Sequence, residues 1–147
     1  MRRNLTPNTK TVRIANATAA GVTDINCDVL DMQGFRGVRA IALLGTLTAT
    51  QVTKLIAYQS DTVDGTGDPF DKIGETVSAL DADGNKILIL EVCQPNKRYI
   101  RFVVDRGTAN AVLDGVVAEL YGASVAPVDP STTVSAQAKY GSPNEYV

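Results

Sequence analysis

The chain has 147 residues, a near-even charge of −2, 44% apolar residues, no histidine and no tryptophan. A single domain of this size buries roughly 70% of the surface its unfolded chain exposes, so no disulfide or metal is needed to hold a core. Without histidine, a Ser-His-Asp or Cys-His site is impossible, and two cysteines alone are too few to ligate zinc. The charge balance argues against nucleic acid as the main partner, because phosphate binding needs a basic excess.

The two cysteines, Cys27 and Cys93, lie far apart, each in an alternating or apolar stretch. They read as two free, buried thiols in a reducing compartment, with a disulfide as the alternative. No secretory signal is read at the start, since Arg2 and Arg3 are followed by polar residues where an apolar run is required. The apolar runs Ala40–Leu44 and Ile87–Leu90 are too short to span a bilayer. The expectation is a soluble protein made in the cytosol, with no membrane partner.

Residues 1–10 are polar, contain Pro7 and read as an arm. Thr11–Ala15 alternates and is β-branched, which predicts a first strand, and Asn16–Val22 reads as a loop. Asp24–Asp31 places Ile25, Cys27 and Val29 on one face, the period of a half-buried strand. Gln33-Gly34 predicts a turn. Phe35–Leu44 predicts a long strand, in which Arg36 and Arg39 cannot both face the core unless Gly37 marks a bulge.

Gly45–Gln51 is small and threonine-rich. Val52–Ser60 reads as a strand, with a helix as the less supported alternative. Asp61–Asp71 is the most loop-like stretch of the body, with two glycines, one proline and four aspartates in eleven residues. Lys72–Leu80 predicts a short strand, and Asp81–Asn85 a turn. Lys86–Cys93 is nearly continuously apolar, as expected of a strand buried on both faces. After the turn Gln94–Lys97, Arg98–Asp105 alternates, with Ile100, Phe102 and Val104 inward. Asn110–Tyr121 predicts the last strand, with a bulge at Asp114-Gly115.

No segment carries a capped helical stripe. The reading is all-β: about eight strands in a two-sheet sandwich of jelly-roll or Greek-key type over 11–123, with an N-terminal arm over 1–10. The expected core contains Ile25, Val29, Leu88, Leu90, Ile100, Phe102 and Val104. From Ser124 to Val147 there is no periodicity, and this stretch holds three of the six prolines and only Asp129, Lys139 and Glu145 as charged side chains. It is read as an extended C-terminal tail, either disordered or laid along a partner, with Val125, Val128, Val134, Tyr140 and Tyr146 as its anchors.

Two clusters invite a functional reading. Asp61, Asp64, Asp68 and Asp71 suggest calcium, but the EF-hand spacing is not met, so a solvated loop is the plainer reading. Asp81 and Asp83 carry the same ambiguity more weakly. Lys97, Arg98 and Arg101 suggest contact with an acidic surface, against a solvated sheet face. Asp64-Gly65-Thr66-Gly67 lacks the lysine and the helix of a phosphate loop. No catalytic, metal or cofactor residue is assigned.

Three stretches carry a family resemblance. Asp31-Met32-Gln33-Gly34-Phe35-Arg36-Gly37-Val38, Gln94-Pro95-Asn96-Lys97-Arg98-Tyr99-Ile100-Arg101 and Arg106-Gly107-Thr108-Ala109-Asn110-Ala111-Val112-Leu113-Asp114-Gly115-Val116 resemble strands of small structural proteins from the head region of tailed bacteriophages. Tyr121-Gly122-Ala123 and a late Ser142-Pro143 add to it. The resemblance covers about 25–123. It implies a virion protein of the capsid decoration or cement type, a trimer bound to the major capsid protein, with arms that clasp neighbouring subunits. It carries no catalytic residues. The alternatives are a connector or fibre-base component, or a calcium- or glycan-binding β-module.

Overall fold

The computed structural model describes residues 4–139. Tyr140, Tyr146 and Ser142-Pro143 lie outside the described residues, as do Arg2 and Arg3. Among the described residues ten strands form: β1 (Lys10–Ala15), β2 (Thr18–Gly21), β3 (Ile25–Asn26), β4 (Leu30–Asp31), β5 (Gly37–Leu47), β6 (Lys54–Ser60), β7 (Asp71–Ser78), β8 (Ile87–Cys93), β9 (Tyr99–Asp105) and β10 (Ala111–Tyr121). One short 3-10 turn, Asp81–Asp83, interrupts them.

The first sheet runs β1-β10-β5-β8, with β2 continuing beside β10, and the second runs β3-β9-β6-β7, with β4 continuing beside β9. All pairings are antiparallel. With β1/β2 and β3/β4 each counted as one broken strand, this is the jelly-roll order of two four-stranded sheets.

Period-two alternation builds the core. Val38, Ala40, Ala42 and Leu44 of β5, Val116, Ala118 and Leu120 of β10, and Leu55 and Ala57 of β6 face inward against Ile100, Phe102 and Val104 of β9. Phe102 is the largest fully buried side chain, at 0% exposure. Of the expected core residues, Leu88 is also buried, while Ile25, Val29 and Leu90 are half-buried.

Four local expectations are corrected. Thr18–Gly21 is a strand, because β1 stops at a register shift and β2 takes up the remaining length of β10. Asp24–Asp31 is two short strands rather than one. The Cys27 N–H still reaches Phe102 O, but the Asp28 N–H crosses to Ile14 O in the other sheet. Gly37 is not a bulge, since its pairing with Cys93 and Tyr121 is in register; it is there because any Cβ would collide with the Tyr121 ring. The bulge expected at Asp114-Gly115 is present, as a register shift between Leu113 and Gly115, where Gly115 takes φ +147°. Finally, β8 is an edge strand, so one of its faces is open: Ile87 and Ile89 are 51% and 42% exposed.

The described part of the tail lies on its own chain. The Ser124 N–H donates to Gly34 O, the Val128 N–H to Pro7 O, and Thr133 Oγ1 accepts from the Arg13 N–H of β1 at 2.9 Å. A side-chain hydroxyl thus satisfies an N–H at the open edge of the first sheet.

Candidate functional site

The three motif stretches fold toward common structural tasks. Gly34 takes φ +86°, which turns the chain between β4 and β5. Asp31 accepts a bidentate pair from Arg98, at 2.9 Å from Nε and 2.7 Å from Nη2, and also caps the Gln33 N–H. This fork joins the first motif to the second and holds the Asp31 carboxyl below its ordinary range, chiefly through the Arg98 hydrogen bond. The Arg36 N–H donates to Tyr121 O and the Gln94 N–H to Arg36 O, so the Tyr-Gly-Ala close joins the same end. Between Met32, Phe35, Arg36, Gln94 and Pro95 lies a groove of about 470 Å³.

Arg106 of the third motif is only 5% exposed and faces no carboxylate within salt-bridge distance among the described residues. Its guanidinium donates to Thr23 O, Ala19 O and Ala111 O at 2.8, 2.7 and 2.9 Å. The next residue, Gly107, has φ +42° and no room for a Cβ against Val52 O. Sequence reading gave Arg106 only a turn; two of the three carbonyls that accept from it, Ala19 O and Thr23 O, are distant in sequence.

The aspartate loop and the cationic cluster, separate in sequence, meet. Lys97 Nζ lies 2.7 Å from Asp68 Oδ1 and 2.9 Å from Asp71 Oδ2. The other Asp68 oxygen accepts from the Asp61 N–H at 2.6 Å. Asp64 accepts from the Thr66 N–H and hydroxyl within its own turn. The Lys97 ammonium is therefore the cation that Asp68 and Asp71 hold. The hydrogen bond it donates to Asp68 lowers the Asp68 pKa, and those it donates to Asp68 and then Asp71 raise that of Lys97. Among the described residues no three of His, Cys, Asp and Glu converge on one point. Asp81 caps the Thr50 N–H, and Asp83 caps the Leu80 N–H and pairs with Lys86.

With Lys97 and Arg98 paired, Arg101 is left. It stands on the outer face of the second sheet, directly opposite Tyr58, which is itself opposite Lys72. Its guanidinium stacks 4.3 Å from the Phe70 ring centroid, and its Nε is buried without a partner among the described residues. Arg98 covers the neighbouring Tyr99 ring at 5.1 Å. The result is a face of Tyr58, Phe70, Lys72, Tyr99 and Arg101, with the Arg101 guanidinium free of any carboxylate among the described residues. Tyr58, Phe70 and Tyr99 are the site residues that sequence reasoning missed. The only signal was period two in β6 and β9, which does not reveal that the 61–71 loop folds Phe70 back over Arg101.

No protein-family model matches the chain, and no curated protein does. Among solved structures it resembles the PBSX exported protein XepA, at 17% identity and a TM-score of 0.55, over 96% of this chain and 46% of that one. This chain thus spans about half the length of that neighbour. It also aligns with the C-terminal family 22 carbohydrate-binding module of Clostridium thermocellum Xyn10B, at 15% identity and a TM-score of 0.40, over 80% of this chain and 88% of that one. At that identity the XepA likeness speaks to the fold alone, which in this chain is the all-β sandwich described above.

Proposed function

We propose that the chain is a non-enzymatic structural protein of a tailed-phage particle, which binds the assembled major capsid protein and stabilises the head as a decoration or cement protein. The observation that carries this reading is the joint use of the three motifs. Their residues turn the chain, fork Asp31 to Arg98 and bury Arg106 on carbonyls, so the three motifs together shape the sandwich. The same frame presents Arg101 on an aromatic bed, suited to a carboxylate on an acidic partner because a guanidinium binds carboxylates in a planar fork. The phage-related name of the XepA neighbour agrees with this reading.

The test is co-sedimentation of the full chain with assembled capsids and with unassembled capsid subunits. Pelleting with assembled shells, together with a higher shell melting temperature, is the expected result. Association with tail or connector parts alone would replace the reading with a connector or fibre-base component.

A further inference from the structure

Where the first and second motifs meet, the groove of about 470 Å³ falls within the size of ligand sites, roughly 300–1,000 Å³. Its walls are two turns that hydrogen bonds hold together. The Met32 N–H donates to Arg98 O, and the Gln94 N–H donates to Arg36 O. The Asp31–Arg98 fork ties the same two segments. Walls fixed in this way lose little freedom when the groove fills.

Three cations, Arg36, Lys97 and Arg98, line the groove, and among the described residues no carboxylate does. Two of the three are committed, Lys97 to Asp68 and Asp71 and Arg98 to Asp31. Arg36 has no carboxylate partner among the described residues. Its stem packs over Gly122, where any Cβ would collide with the Arg36 Cβ. The Gln94 amide, assigned by its hydrogen bonding, turns its oxygen to Arg36 Nε and Nη2 at 3.1 and 3.0 Å. One edge of the guanidinium is thus held, and the fork of Nη1 and Nη2 is left for a carboxylate. The same groove is lined by the apolar Met32, Phe35 and Pro95 and by the exposed side-chain amides of Gln33 and Asn96.

We propose that this groove binds an extended acidic segment of a partner protein, with an Asp or Glu carboxylate on Arg36 and a neighbouring apolar side chain against Phe35 and Pro95. Charge selects the acidic segment, since the lining is cationic and holds no carboxylate of its own. A carboxylate is favoured over a phosphate because only one of the three cations is uncommitted. A peptide is favoured over a small ligand because each side-chain amide offers a donor and an acceptor, which is what a peptide backbone requires. Arg101 does not line this groove, so the site stands or falls separately from the face assigned above to the capsid.

The experiment is a nuclear magnetic resonance titration of the full chain with the blocked peptide acetyl-Leu-Glu-Leu-amide, its neutral counterpart acetyl-Leu-Gln-Leu-amide, and inorganic phosphate. The glutamate peptide should shift the Arg36 Nε–H and the side-chain amides of Gln94 and Asn96 in a saturable way. The neutral peptide should bind about tenfold more weakly, the loss expected when a charge-assisted hydrogen bond is removed. Arg36→Gln should lose the same factor, while Arg101→Gln keeps the binding. Should Arg36→Gln fail to fold, Asn96→Asp, which adds a carboxylate at an exposed position, should weaken binding instead. No shifts, shifts confined to the surroundings of Arg101, equal binding of the two peptides, or tighter binding of phosphate overturns the proposal. So does binding that appears only after residues 140–147 are deleted, which would make the chain's own Glu145 the occupant.

Discussion

The Lys97 ammonium lies 2.7 Å from Asp68, so a cation from one turn fills the aspartate loop of another. Calcium wants several oxygens converging on one centre, whereas here Asp68 and Asp71 hold Lys97 and Asp64 bonds within its own turn. A ligand at about 100 times its dissociation constant adds about 2.7 kcal/mol to folding. The expected outcome is therefore a melting temperature unchanged by millimolar calcium or by chelator. Lys97→Met is the variant in which a calcium-dependent rise would show a latent site.

Acid should destabilise the protein through its paired carboxylates. Asp31, Asp64, Asp68 and Asp83 all have folded pKa values below ordinary, from hydrogen bonds with Arg98, Thr66, Lys97 and Leu80 respectively. The unfolded chain then binds more protons near pH 4, so stability rises with pH through that region and is lost as pH falls through the folded values. At the alkaline end the sign reverses. Tyr121, desolvated and bonded to Glu91, and Lys97 have raised values, so stability falls above about pH 10. A denaturant series across pH should give a plateau between these limits, and salt should flatten the acid limb.

Two truncations should separate apolar burial from polar burial. Phe102→Ala is expected to cost about 3–5 kcal/mol, by lost transfer and by the cavity left in the centre of the sandwich. Arg106→Met keeps much of the volume but strands the carbonyls of Ala19, Thr23 and Ala111. It should cost about 2–4 kcal/mol, since each buried polar group left unpaired is penalised. Equilibrium unfolding in urea measures both.

The cysteines should differ. Cys27 is 3% exposed, and desolvation pushes its thiol up to about 12. Cys93, on the open face of β8, is exposed. Native labelling with a thiol reagent should modify Cys93 quickly and Cys27 only on unfolding, so the sequence expectation of two protected thiols holds for Cys27 alone.

That contrast shows what the sequence made legible. Alternation alone identified Ile100, Phe102 and Val104 as inward-facing, because period two maps directly onto sheet faces. It could not say whether a continuous apolar run such as Ile87–Leu90 is central or at an edge, since that depends on which strand lies beyond it. The cluster of Lys97, Arg98 and Arg101 was visible as charge. Its division into two paired cations and one stacked on Phe70 rests on contacts from Asp31 and from the 61–71 loop, which spacing does not encode. Gly37 was weighed as a bulge, whereas a Cβ there would meet the Tyr121 ring on a strand far along the chain.

The most direct measurement of the central claim is a density map of the assembled particle in which this chain is located. The account predicts copies at repeated positions on the capsid shell, with Tyr58, Phe70, Lys72 and Arg101 facing an acidic patch of the major capsid protein. Density for the chain only at the portal, the tail or the fibre base, or on the shell with Arg101 turned to solvent, would contradict it.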